Sequence, residues 1–560
     1  MASSTACMAW NERLSSRWKR WLALLPILAI GLLVLLGLPG RVWAHASLTN
    51  AVPAANAELQ QAPKSIHLTF NERLEDGVYY IKVLDAKKKP VTDKAAALNA
   101  TRTEVELDLP ALAPGSYLVS YHVISADGHP VEGTYLFAVG QSLSEQPIEV
   151  PANAEHLHSG GLSQNMSLLD IVSYLSRILY YIMMLLFTGW VLWLRFGLQG
   201  MDGSRPALEG WTVQLQRGYL LAFLFFMFVH IYAMIGSGGP QAMKALFTST
   251  SIGYLWLASL ALSLLSFVVL YRNLWLDLLW LVLLWLCKSL NGHAAVFAPQ
   301  SQTIVLDLVH LASAALWMGG LLMLLVLWRR SKEDGALFFP RFSSAALISI
   351  VLLIVSGVLT VFVFLPDVKY IVETQWGKLL LVKSALVLLV VITAASLRLL
   401  YRKHGQLRKV SYLLKQDAAL ALLIACIVGI FTYLTPQPAN EPLNWHVMGE
   451  KIHMTAQITP NAPGVNEITV KVWLPEKLGQ PKQVLFKLRN PDLPDIAPIE
   501  VPLQPVQEPV NSYEESYGMK KHTYKAKGSY LPYPGYWNIE IRVMDSNDDE
   551  TVYEKQIRLF

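Results

Sequence analysis

The chain has 560 residues, of which 53% are hydrophobic and only 16% charged, with a net charge of +5 and a mean hydropathy of +0.36. That balance excludes a water-soluble globular protein, because apolar runs of about 20 residues, each enough to cross ~30 Å of hydrocarbon, recur along it. The basic residues of the apolar part sit between the runs, which excludes a nucleic-acid patch, and no Gly-rich phosphate loop is present.

The first forty residues read as a leader. Arg17, Lys19 and Arg20 precede an apolar run from Trp21 to Leu38, and Val42 and Ala44 mark a signal-peptidase site, so residues 1–44 are predicted to be removed. A cut after Ala44 makes His45 the first residue of the mature chain. Its α-amine and ring Nδ1 then chelate one metal in a way that suits tetragonal Cu(II). A cut after Ala46 obeys the same small-x-small rule and discards the histidine; the rule alone leaves both open.

Residues 45–140 carry strand patterning at Lys64–Phe70, Val78–Leu84, Thr103–Leu109, Ser116–Ile124 and Gly133–Val139, with turns at Asp76-Gly77 and Pro114-Gly115. Short strands at this spacing predict a small antiparallel sandwich or barrel. Cys7 lies in the leader and Cys287 and Cys426 in apolar runs, so no disulfide is expected outside the membrane. Residues 141–167 form a polar linker that holds His156 and His158.

Residues 168–434 form the membrane part, with eight predicted spans: Leu168–Leu194, Val213–Gly236, Ile252–Tyr271, Leu274–Leu290, Thr303–Trp328, Phe342–Leu365, Trp376–Tyr401 and Gln416–Leu434. The loops bearing Arg329, Arg330, Lys332 and Arg341, and then Arg398, Arg402, Lys403, Arg408 and Lys409, are the basic ones and face the cytoplasm by the positive-inside rule. Eight spans then leave both termini outside a plasma membrane. Residues 435–560 return to strand patterning and predict a second outer β-sandwich. The expected fold is a polytopic α-helical membrane protein flanked by two extracellular all-β sandwiches.

Two sets of residues carry chemistry. Asp127 and His129 lie two apart in Ser125–Gly133, a spacing that puts both on one side of an extended strand. With the amine and ring of His45 they make three nitrogens and one oxygen, a set for Cu(II) in which nickel and zinc compete. Alone, the Asp-Gly-His run also reads as a polar surface turn. The second set lies in the spans, where an ionisable residue is costly and marks a pathway or cofactor. His230, His293 and His310 fall in the outer half, Asp307 lies one turn before His310 to orient its ring, and Met234 follows His230 by four. Imidazole and thioether suit Cu(I), although Met183, Met184 and Met234 also fit helix packing. His446, Met448, His453 and Met454 make a looser group, with His453 and Met454 on opposite strand faces.

His45 after its cleavage site, Phe70-Asn71-Glu72, Pro114-Gly115-x-Tyr117 and Ser125-Ala-Asp-Gly-His-Pro-Val-x-Gly133 together resemble the CopC family of copper-binding proteins. The resemblance implies Cu(II) ligation by His45, Asp127 and His129 and favours the cut after Ala44. No methionine lies between His45 and Gly140, which predicts a Cu(II)-only domain, and His122 is expected to be structural. Asn291-Gly-His293-Ala, Asp307-x-x-His310, Leu316-Trp-Met-Gly-Gly-Leu321 and Trp376-Gly-Lys-Leu379 resemble CopD. The two together are similar to CopC–CopD fusions of the YcnJ copper-uptake type, and Pro534-Gly-Tyr-Trp537 resembles their YtkA-like end module.

The resemblance implies a copper-uptake protein rather than an enzyme. It would capture Cu(II) outside, pass it through a His-lined bundle, possess Cu(I) chemistry deeper in the membrane, and have copper, lipid and an outer copper donor or reductant as partners. Three other readings remain at this point: a haem or electron-transfer protein with His230 and His310 as axial ligands, a copper sensor without transport, and a copper oxidase armed by His45.

Overall fold

The computed structural model describes Ala46 and residues 48–55, 57–141, 168–199, 201–365, 367–402, 407–434, 436, 440, 442–449, 451–492, 496–506 and 519–560. The leader, His45, and the linker histidines His156 and His158 lie outside the described residues.

The first unit is a two-sheet sandwich. One sheet has the order β1 (Leu48–Val52), β3 (Ser65–Phe70), β6 (Glu104–Asp108), β5 (Ala97–Leu98). The other has the order β2 (Ala57–Leu59), β8 (Pro130–Val139), β7 (Gly115–Ile124), β4 (Tyr80–Leu84). Alternation builds the core: Ile66, Leu68 and Phe70 of β3 face Val105 and Leu107 of β6 and Val119, Tyr121 and Val123 of β7. β7 breaks the half-exposed pattern because its second face is covered too. Ile124, with Val78, packs into the helical core, and His122 is fully buried between Glu132 and the carbonyl of Met234.

Ten helices follow among the described residues. They are α1 (Leu168–Phe196), α2 (Arg205–Ile235), α3 (Gly239–Ser249), α4 (Ser251–Val269), α5 (Leu274–Ser289), α6 (Gln300–Arg330), α7 (Lys332–Phe364), α8 (Tyr370–Glu373), α9 (Gln375–Arg402) and α10 (Leu407–Phe431). Seven are long and apolar enough to cross a membrane, and each coincides with a predicted span. The eighth predicted span is α5, only 16 residues, or ~24 Å at 1.5 Å per residue. It packs beside α4 and α6 within the bundle. The tight turn before it is held by Asn273, whose side chain caps α5, and by Asp277, which accepts from the N–H of Tyr271 at 2.9 Å and pairs with Arg195. The short surface helix α3 is an element that no apolar run announces.

At the centre α1 and α6 cross backbone to backbone. A Cβ added at Gly189 would lie 1.8 Å from the Ala315 carbonyl oxygen, and one at Gly319 would lie 2.4 Å from the Gly189 carbonyl carbon. Small residues at a crossing let membrane helices approach this closely.

The last unit is a second sandwich. One sheet has the order β14 (Gln504–Val506), β15 (Met519–Leu531), β11 (Gly464–Pro475), β10 (His453–Thr459), β9 (Leu443–Met448). The other has the order β13 (Ile499–Val501), β12 (Gln483–Arg489), β16 (Gly535–Met544), β17 (Glu550–Leu559). The looser His/Met group does not assemble: Met454 is in the core, Met448 is exposed, and His446 pairs with Thr455 at 2.7 Å.

This unit grips the first through Glu58 of β2, which meets Lys521 at 2.7 Å and Lys471 at 3.4 Å, all three side chains more than nine-tenths buried. Arg558 also reaches Glu373 of α8 at 2.6 Å. Removing one member of a buried ion group strands the others, at roughly 3–5 kcal/mol. Glu58→Gln is therefore expected to loosen the two sandwiches from one another, read as faster amide exchange in β2 and β15. Unchanged exchange would show that the contact contributes nothing to their union.

Candidate metal site and cavity

Asp127 and His129 sit in the turn between β7 and β8. The Gly128 N–H donates to the Ser125 carbonyl (2.9 Å), the Ser125 N–H to the His129 carbonyl (2.9 Å), and Gly128 takes φ of +86°, which suits glycine. The two side chains do not share a side by strand alternation, as their spacing suggested; the turn folds them together. His129 Nδ1 lies 3.1 Å from Asp127 Oδ1 and both residues are buried. The Ser125 hydroxyl donates to the same Oδ1 and accepts the His129 N–H at 3.2 Å, so the carboxylate is fixed in place.

The other carboxylate oxygen faces the membrane unit. Asp127 Oδ2 is 3.2 Å from Nδ1 of His293, in the loop that joins α5 to α6. The His129 and His293 rings stack with centroids 5.5 Å apart and planes 17° apart. Asp127 thus bridges a histidine of the outer sandwich and a histidine of the bundle mouth. Glu72, quoted in a motif but given no role, is buried beside this group with neither oxygen hydrogen-bonded. Burial first, then the charge of Asp127, pushes its carboxyl up to about 10, so it holds a proton at neutral pH.

Below the turn a cavity of about 760 Å³ runs into the bundle, lined by Asp127, His129, His230, His293, Asp307 and His310 among others. The three span histidines and Met234 do line one space. Their individual roles differ from expectation. His230 donates from Nδ1 to the Phe226 carbonyl (2.8 Å) and accepts from Arg177 Nε at Nε2 (2.7 Å), so neither nitrogen has a lone pair left for a metal or haem. Asp307 does not orient His310. It accepts from Ser289 at 2.7 Å, while His310 Nδ1 meets Ser356 Oγ at 2.9 Å. One helical turn brings Asp307 near His310 in height, but the ring leans to α7. Met234 contributes its backbone carbonyl to His122. Cys287 also lines the cavity.

Three cations also stand in this wall: Arg177 and Lys288, which the sequence reading passed over, and Lys383, which closes the run from Trp376 that resembles CopD but was given no role. Each was a lone charge inside an apolar run, which was signal enough. Arg177 stacks on Tyr433 (4.7 Å), and Lys288 lies over Tyr181 (5.2 Å) and donates to the Asn291 carbonyl (3.2 Å). No three His, Cys, Asp or Glu side chains among the described residues are arranged to hold a metal by themselves. The set predicted around Asp127 and His129 includes His45, outside the described residues.

A multi-pass membrane protein with a β-sandwich seated on the mouth of its helical cavity is the class that this architecture defines. Comparison with known families is specific. The CopC domain model matches residues 48–140, and the model for Copper resistance protein D, CopD, matches residues 336–434. The chain thus carries a CopC domain and a CopD domain on one polypeptide. It is 29% identical over 491 residues to Copper transport protein CutJ of Bacillus subtilis (strain 168), covering 82% of this chain and 85% of that one. It is 41% identical over 101 residues to Protein YobA of Escherichia coli (strain K12), covering 18% of this chain and 81% of that one. The crystal structure of CopC from Methylosinus trichosporium OB3b shares 40% identity, covering 17% of this chain and 93% of that one, with a TM-score of 0.17.

Proposed function

We propose that this protein carries copper inward across the plasma membrane, with both sandwiches outside. Cu(II) is captured by His45, Asp127 and His129, whose nitrogen-rich set with one carboxylate suits its tetragonal geometry. The observation that carries this reading is the Asp127 bridge: one carboxylate reaches both His129 and His293. A ligand that can be exchanged from the first histidine to the second without the ion passing through bulk water makes a short hand-over into the cavity. His310 keeps a lone pair further along the route. Its Nδ1–H goes to Ser356, whose own proton goes to the Leu352 carbonyl at 2.6 Å, so Nε2 stays open. The resemblance to fusions of the copper-uptake type and the name of the CutJ relative agree with copper as the cargo. The C-terminal sandwich, read as YtkA-like, would serve to hold the capture domain over the mouth.

Copper accumulation in intact cells tests this reading. Cells with His293→Ala are expected to accumulate about tenfold less copper than wild type, and His129→Ala a similar amount less. Wild-type accumulation by both variants at equal protein levels would overturn the route.

A further inference from the structure

The cavity also reaches the outer side of the bundle. Between α7 and α9 its wall is made by Ile354, Val358 and Phe362 on one helix and Leu381, Leu388 and Val391 on the other, each more than a third exposed. These are also the two least buried spans, at 22% and 11%. At this height in a membrane-spanning bundle the surrounding medium is hydrocarbon. A ligand dissolved in lipid therefore meets this wall of the cavity directly.

Inside, the apolar slot ends on three polar side chains: Asp307, His310 and Lys383. Their positions in α6 and α9 put them ~10–15 Å below the outer helix ends at about 1.5 Å per residue. Lys383 lies over the Phe431 ring (5.6 Å) and makes no ion pair among the described residues. His310 presents the Nε2 lone pair described above. A cationic donor and an imidazole acceptor at the end of an apolar slot match a lipid-soluble ring bearing oxygen at its tip. A phospholipid head fits poorly at this depth, since burying its charges in hydrocarbon is costly, whereas an uncharged quinone ring belongs there.

We propose that the slot binds a lipid-soluble quinone and hydroquinone, and that the hydroquinone is the reductant for captured copper. The redox half rests on the copper reading given above; the binding half does not. Lys383 donates to one ring oxygen and His310 Nε2 accepts the hydroxyl hydrogen. One hydroquinone gives up two electrons and two protons to become the quinone. Two Cu(II) ions, delivered in turn to the His129–His293 junction, each take one electron to become Cu(I), and the protons leave to the outer water.

The test uses full-length protein in lipid nanodiscs under anaerobic conditions, with a short-chain ubiquinone analogue as probe. Gly357 of α7 lines the slot, and a Cβ added there would lie 3.7 Å from Cε1 of His310; calorimetry without copper is expected to show saturable quinone binding that Lys383→Met and Gly357→Leu each weaken by at least about tenfold, with Cu(II) affinity unchanged. No binding above that of empty nanodiscs, or equal binding in wild type and both variants, overturns the site. Adding the quinol to Cu(II)-loaded wild type is expected to yield two Cu(I) per quinol, read with a Cu(I)-specific chelator. His129→Ala is expected to abolish that yield while keeping quinone affinity. Bound quinol that leaves protein-bound Cu(II) oxidised overturns the redox half; quinone binding without any Cu(II) binding overturns the copper reading and leaves the slot standing.

Discussion

His129→Ala is expected to lower the Cu(II) affinity of the purified full-length protein by at least about 100-fold, or about 2.8 kcal/mol. The ring is buried and its neighbour Asp127 is fixed by Ser125, so no other nitrogen of the turn can take its place. Asp127→Ala is expected to lose as much, since it removes the anionic ligand and the bridge to His293 together. His293→Ala is the informative contrast: it should leave equilibrium Cu(II) affinity within about threefold, because that residue receives the ion rather than captures it. Competition with a chelator of known affinity measures all three. An unchanged affinity in His129→Ala would remove the turn from the capture site.

The second large effect is on stability. Gly319→Leu forces a branched side chain into the α1–α6 crossing, where the obstructing atoms are backbone on both sides. Overpacking that flexible side chains cannot relieve costs ~3 kcal/mol or more, so this variant is expected to unfold at markedly lower temperature in detergent, or to fail to assemble. Gly210→Ala is the control, since nothing lies within 4 Å of its added Cβ. That change should be neutral or stabilising by up to ~1 kcal/mol through helix propensity. Equal melting of Gly319→Leu and wild type would mean that the two helices do not meet there.

Much of this architecture was legible in the residues. Every apolar run among the described residues became a helix, and the alternating strands of both sandwiches fell where Ile66, Leu68 and Phe70 or Ile539, Ile541 and Val543 demanded a buried face. Several strands escaped. β2, β5, β13 and β14, at two or three residues, are too short for a pattern to show, whereas β1, β9 and β15 are longer. β15 is long, but Met519–Leu531 carries four lysines, of which Lys520 and Lys527 are exposed while the Lys521 side chain is buried against Glu58 of the first sandwich. Short-range signals cannot report such burial, because it is created by a partner hundreds of residues away.

The site divides the same way. Residue types suggested the Asp127–His129 pair and the membrane histidines. Sequence spacing could not reveal that the turn is seated on the His293 loop, since that contact depends on docking of two units. Nor could it reveal that His230 is occupied by Arg177. A histidine in a span carries the same prior whether its nitrogens are spent or open, and only the hydrogen bonds at Arg177, Phe226 and Ser356 tell His230 from His310.

The central claim is that the capture turn sits directly on the bundle mouth, and cross-linking in intact membranes tests it most directly. Lys82 of β4 donates to Ser237 Oγ, just beyond α2, at 2.9 Å. In a background lacking the native cysteines, Lys82→Cys with Ser237→Cys is expected to be joined rapidly and in high yield by a short bismaleimide linker, with copper accumulation retained. Absence of that cross-link in protein that still accumulates copper would contradict a seated capture domain and the direct hand-over from His129 to His293.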